Sequence, residues 1–182
     1  MSENAASYRR TATRSLVLCA LMAALTAICS QIQIPLPMVP INLALFAVHL
    51  SGALLGWKYG ALSMVVYALL GVIGVPVFAG MMAGPAALFG KTGGYVIGYI
   101  AIAGLTAAAR RWDKAPVTAL GMAAGLILCY GFGTAWFMVV TGTTLAQSLA
   151  WCVTPFILPD VCKGVCAYVL GRLLQRRMAQ AG

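Results

Sequence analysis

Asp160 and Lys163 are the residues of this chain whose types and spacing could do chemistry. They stand in PFILPDVCK, residues 155–163, in a stretch otherwise free of charge. A carboxylate accepts hydrogen bonds and an ammonium donates them, so the two together could hold a small ligand carrying both donors and acceptors. On a helix, a spacing of three places both side chains on one face, about one turn apart. Ionisable groups within an apolar segment are costly and mark a site or a pathway. A second reading stays open. Asp160 follows Pro159 and would stabilise a helix N-terminus, with Lys163 neutralising it.

The elements that must position this pair are membrane helices. Of 182 residues, 62% are hydrophobic and 8% charged, whereas a soluble domain carries about 25% charge. Six apolar stretches, residues 15–32, 41–56, 59–76, 93–109, 117–140 and 155–174, predict an all-α integral membrane protein. The expected architecture is a six-transmembrane-helix bundle forming one domain over residues 1–182. The second, third and fourth stretches are short or borderline against the 17–25 residues of a usual span.

Basic residues set the orientation. Arg9, Arg10 and Arg14 precede the first stretch, and Lys58 lies between the second and third. Arg110, Arg111 and Lys114 lie between the fourth and fifth, and Arg172, Arg176 and Arg177 close the sixth. These ten of the twelve basic residues alternate onto one side, which the positive-inside rule makes cytoplasmic, with both termini inside. The net charge of +9 follows from that asymmetry and calls for no nucleic-acid partner. Asp160 and Lys163 then sit at the outer, N-terminal end of the last helix. The outer segments 33–40, 76–94 and 141–154 are apolar and rich in Pro and Gly. The middle one, between helices 3 and 4, is too long for a simple turn and too apolar to be solvated. It predicts a folded-in loop covering a site on the outer side, the alternative being a loop resting on the headgroups.

Several chemistries are excluded. Gly90-Lys91-Thr92 resembles the end of a phosphate-binding loop, but the position that motif reserves for its first glycine holds Pro85. Uphill transport would therefore draw on a partner's ATP hydrolysis or on an ion gradient. Paired glutamates, H-E-x-x-H and G-x-S-x-G are absent, so no enzyme is expected. His49 reads as a packed histidine and Asp113 as a solvated loop charge. Cys19, Cys29, Cys129, Cys162 and Cys166 lie in apolar stretches, with Cys152 just before the last. They read as small buried apolar residues, and no metal or cofactor is expected. Cys29 superficially suggests a lipoprotein site, but Ile28 is too large to precede a lipidated cysteine, so the first stretch is read as a retained helix. Within it Ala20 and Ala24, and likewise Ala23 and Ala27, are four apart. Such faces let another helix backbone approach closely, either a partner's or the bundle's own.

The run from Ile34 to Gly80, then GKTGGYVIGY and PFILPDVCK, resembles the BioY family. The motifs P-L-P-x-x-P-I-x-L, G-V-P-V-F-A-G, T-G-G-Y and D-x-x-K occur in the family's order, and the resemblance covers most of the chain. It implies a biotin-capturing S component of an energy-coupling-factor (ECF) transporter: a six-helix bundle in a prokaryotic plasma membrane that binds biotin near its outer surface. The resemblance assigns Asp160 and Lys163 to biotin and places Thr92, Gly93, Gly94 and Tyr95 beside the pocket. Asn42, Phe78 and Phe156 are expected there too, the aromatic rings (or Trp151) covering the apolar bicycle. Ala20 and Ala24 would dock on a transmembrane scaffold subunit, and two cytosolic ATPase subunits would supply energy. Two positions depart from the family pattern: Lys91 replaces a frequent proline, and Ala44 stands where a glutamine is usual, so contacts made by that glutamine do not carry over. Alternatives are an S component for another vitamin, a stand-alone ion-coupled carrier or channel, and a structural membrane subunit. A carrier would need acids in mid-membrane, and Asp160 is the only candidate.

Overall fold

The computed structural model describes the backbone of residues 2–180 and the side chains of residues 13–177 and 180. The side chains of Arg9 and Arg10, which enter the charge alternation, lie outside the described residues. The elements are α1 (Ser2–Gln31), β1 (Gln33–Ile34), β2 (Ile41–Asn42), α2 (Ala44–Val72), α3 (Pro85–Leu88), α4 (Gly93–Arg110), α5 (Ala115–Thr141), α6 (Leu145–Cys152) and α7 (Ile157–Gln180), with a 3₁₀ turn at Ala79–Met81.

Among the described residues, three stretches can cross a bilayer by length and composition: Thr13–Gln31, Ala44–Val72 and Ala115–Thr141. A fourth is possible if Leu145–Cys152 and Ile157–Arg177, bent by 48°, act together. The stretch Ala44–Val72 is not a single rod. Gly56 has φ 74° and ψ 173°, a conformation open to glycine and closed to residues with a Cβ. Beyond it the chain doubles back. Ser51 Oγ lies 2.6 Å from Ser63 Oγ, whereas twelve residues of unbroken helix would separate them by about 18 Å. α2 is therefore a hairpin with arms 44–55 and 57–72, corresponding to the second and third apolar stretches of the sequence. Lys58 lies at its bend.

Helix ends follow local chemistry. α5 starts with a proline in its first turn and stops at Gly142, whose left-handed backbone (φ 68°) donates to Met138 O. α6 interrupts a segment expected as an outer loop. It is opened by a capping box in which Thr144 and Gln147 satisfy each other's backbone N–H groups. A short antiparallel pair, Gln33 opposite Asn42 and Ile34 opposite Ile41, adds a second element to a segment read as loop. It ties the end of α1 to the start of α2, where Leu43 N–H donates to Cys29 O and Ile32 O.

α2 packs against α1, α4 and α7, and α4 against α5. The core between them holds Leu45, Val48, Met64, Tyr67, Tyr99 and Ile102. The outside is as apolar as the inside. Ile28 is 63% exposed, Ile127 68% and Val139 85%, an arrangement that water would penalise and lipid would not. Cys162 and Cys166 also face outward on α7, while the other four cysteines are buried and all six are free. These two depart from the expectation of uniformly buried thiols, because a lipid-facing helix surface admits a small apolar residue as readily as a core does.

Candidate functional site

The last helix brings the acidic residue to its place. Asp160 lies in the first turn of α7, 3% exposed, and its N–H bonds Phe156 O. Lys163 Nζ donates to Asp160 Oδ1 at 2.7 Å. Tyr130 of α5 donates its hydroxyl proton to Asp160 Oδ2 at 2.6 Å. Both carboxylate oxygens thus take side-chain donors. Burying a charge without such partners would cost several kcal/mol, of order; here an ammonium and a phenol compensate it. Each oxygen keeps a free lone pair, and the ammonium keeps two N–H donors, so the cluster can still serve a ligand.

Asp160, Lys163, Phe156, Thr92, Tyr95 and Asn42 all line one cavity. It lies where the N-termini of α2, α4 and α7 converge. Tyr67, Tyr99, Cys129 and Tyr130 complete its walls, with Val39, Pro40 and Ala79 from the loops. Six of the nine residues expected at the site are therefore brought together. Asn42 also accepts from Ala44 N–H at 3.1 Å, fixing the entry to α2, and Tyr95 OH is 3.2 Å from Thr134 Oγ1.

The other three residues do not line the cavity. Phe78 is 3% exposed, edge-on to Tyr67 at 5.6 Å and so close to Gly71 that any Cβ there would collide with its ring. It anchors the segment between α2 and α4 rather than facing the opening. Gln31 pins the same segment, donating to Val77 O and Phe78 O and accepting from Met81 N–H; Tyr67 OH donates to Val77 O. Gly93 leaves no room for a Cβ against Leu88 O, and Gly94 none against Trp136. Their role is close packing of the chain around Thr92 and Tyr95. Trp151 is 39% exposed and faces an outer groove with Met38 and Pro155.

Tyr130, Tyr99 and Tyr67 are the site residues that sequence reasoning missed. Each reads as apolar filling of a span. The available signal was chemical: a buried tyrosine needs a hydrogen-bond partner, so hydroxyls on apolar helices point toward a polar interior. Ala44 is fully buried in the core, and Lys91 is exposed.

On α1, Ala20 and Ala24 are exposed, while Cys19, Ala23, Thr26 and Ser30 are buried. The two alanine pairs thus separate: Ala23 packs inside the bundle, with Ala27 against its core, and Ala20 and Ala24 face away. His49 is buried, with Nδ1 3.1 Å from Thr106 Oγ1, a packed histidine as expected.

A helical protein with an apolar exterior that keeps a hydrogen-bonded ion pair inside a tyrosine-lined cavity is a membrane protein equipped to bind a small polar ligand. The chain belongs to the BioY family, whose sequence profile matches residues 1–180. It is 39% identical over 158 residues to a probable biotin transporter of Pyrococcus horikoshii, covering 87% of this chain and 94% of that one. It is 31% identical over 168 residues to biotin transporter BioY2 of Lactococcus lactis, covering 91% and 92%. Its fold matches the crystal structure of the S-component for biotin from an ECF-type ABC transporter with a TM-score of 0.84 and 26% identity, over 92% of this chain and 93% of that one. This chain is accordingly a multi-pass membrane protein.

Proposed function

We propose that this protein is the biotin-capturing S component of an ECF transporter in the plasma membrane of a prokaryote. The observation that carries the proposal is the buried cluster of Asp160, Lys163 and Tyr130 on the cavity lined by Thr92, Tyr95 and Phe156, in a chain of the BioY family.

The hairpin at Gly56 supports a reading with six crossings, the arms of α2 being two of them. With the basic turns cytoplasmic, both termini are inside and the cavity opens outward, at the end of α7 opposite Arg172, about 18 Å away along the helix. The segment 76–92, pinned by Gln31 and Phe78, forms the wall of the site facing outside.

Biotin offers two ureido N–H donors, a carbonyl, a carboxylate and an apolar thioether bicycle. Asp160 accepts from a ureido N–H, and Lys163 donates to the carbonyl or carboxylate. The rings of Tyr95, Tyr99 and Phe156 cover the bicycle, with Asn42 and Thr92 as polar contacts. Gly93, Gly94 and Phe78 act one layer out, by shaping the segment that carries these contacts. No step is catalysed, and no cofactor is required. Ala20 and Ala24 offer a flat helix face to a transmembrane scaffold subunit, and two cytosolic ATPase subunits supply the energy that reorients the bundle.

The test is binding of radiolabelled biotin to the purified protein in detergent. Saturable binding without ATP or an ion gradient is expected. No binding, or tight binding only to a different vitamin, would overturn the proposal.

A further inference from the structure

α7 touches the rest of the bundle through a narrow stripe of buried residues, Asp160, Gly164, Ala167 and Gly171. On one side of that stripe a groove runs between α5 and α7. Its walls are almost entirely apolar: Ala119, Met122 and Ala123 of α5 face Val161, Gly164 and Val165 of α7. The groove ends at Ala115 and Tyr168.

Directly below lies a pocket of opposite character, formed by Arg110, Arg172 and Arg176 with Asp113 and Gln175. Three cations face one carboxylate there, and that carboxylate is already taken by Arg172 at 3.0 Å. Arg110 Nε is buried and has no hydrogen-bond partner among the described residues. The two features adjoin at Tyr168 and Arg172. The guanidinium of Arg172, part of the basic pocket, lies over the ring of Tyr168, which closes the groove, 5.4 Å from its centroid.

An apolar groove running into an arginine pocket with excess positive charge matches one kind of molecule, an amphiphile with an anionic head. We infer that this face is a specific site for an anionic phospholipid of the cytoplasmic leaflet. Its phosphate sits among Arg110, Arg172 and Arg176, and one acyl chain lies between α5 and α7. In a bilayer any lipid tail could enter the groove, so the selectivity must come from the arginines. Guanidinium groups bind phosphate through short charge-assisted hydrogen bonds, and basic pockets between helices on the cytoplasmic side take anionic headgroups. A phosphate oxygen would also satisfy Arg110 Nε, which otherwise carries a desolvation penalty. The site goes beyond the proposed transport function; of the residues lining the groove, Asp160 at its upper end also lines the outer cavity, and it plays no part in holding the lipid.

The experiment uses delipidated full-length protein in a neutral detergent. Native mass spectrometry and the thermal unfolding midpoint are followed on adding phosphatidylglycerol, phosphatidylcholine with the same chains, or glycerol phosphate. Phosphatidylglycerol should bind about tenfold or more tightly than phosphatidylcholine and raise the midpoint, and glycerol phosphate should do neither. Arg110→Gln combined with Arg176→Gln should remove most of that preference, leaving the lipid-free midpoint near that of the parent. Ala123→Phe, which fills the groove, should weaken both lipids; Ala119→Leu serves if the larger side chain impairs folding. Equal binding of the two phospholipids, or an undiminished preference in the arginine double variant, would overturn the inference. Binding of glycerol phosphate as tight as that of phosphatidylglycerol would overturn it as well, by assigning the pocket to free anions. None of these readouts depends on biotin, so they stand apart from the fate of the transport assignment.

Discussion

Asp160 is held from two sides, by an ammonium on its own helix and a phenol from α5. Neither bond alone defines a ligand site, but the geometry makes distinct predictions. If Asp160 and Lys163 contact biotin, Asp160→Asn and Lys163→Met should each cost about 1.5–3 kcal/mol of binding, the usual worth of a charge-assisted hydrogen bond. That is roughly ten- to more than a hundredfold in affinity, measured by isotope binding to folded protein. Unchanged affinity in both variants would return Asp160 to a helix-terminus role. Tyr130→Phe probes positioning instead. It leaves the ring and removes the donor on Oδ2, so affinity should fall by about three- to tenfold, the worth of roughly one hydrogen bond. In a double-mutant cycle with Asp160→Asn, the two losses should be clearly less than additive. Additive losses would show that Tyr130 does not act through the carboxylate.

Two elements carry predictions of their own. The segment between α2 and α4 is fixed by Phe78 packed into the space left by Gly71, and by the Gln31 bonds to its backbone. Gly71→Ala should push the ring out, because the new Cβ would stand where Phe78 is. Hydrogen exchange should then quicken across residues 77–91 and biotin should dissociate faster, while α4 and α5 stay protected. Unchanged exchange in the segment would mean that Phe78 is not its anchor. The second element is α1. Because Ala20 and Ala24 are exposed while Ala23 is buried, Ala20→Trp with Ala24→Trp should leave biotin binding by the isolated protein intact. ATP-driven uptake with the energising subunits should fall sharply. Loss of binding along with uptake would assign these alanines to internal packing.

The whole molecule has an apolar belt with basic turns gathered at one end, and its orientation can be tested directly. In a variant with all six cysteines replaced, Lys91→Cys and Asp113→Cys would each introduce one exposed thiol at opposite ends. An impermeant maleimide should label position 91 on intact cells, and position 113 only after permeabilisation. The reverse pattern, or labelling of both from outside, would invert or break the proposed topology. The charge alternation makes this outcome a consequence of Lys58, Arg110, Arg111, Lys114 and Arg172 lying in turns and helix ends on one side.

The sequence by itself determined the helical membrane class, the break between the second and third apolar stretches and the pairing of Asp160 with Lys163. Those rest on local quantities: hydropathy over a span, charge between spans, and the one-turn reach of an i, i+3 pair. The short α6 also has a local signal, Thr144 and Gln147 at the spacing of a capping box, although the sequence reads as a loop over residues 141–154. Only the tertiary structure decided what faces what. It placed Phe78 against Gly71 instead of in the cavity. It separated Ala20 and Ala24 from Ala23, and it brought the Tyr130 hydroxyl to Asp160 from thirty residues away. Partners so distant along the chain meet through helix packing, and in a chain this uniformly apolar hydropathy does not separate lipid-facing from core-facing sides. Small residues at close crossings and buried hydroxyls that need partners settle those faces, and both act through contacts between helices.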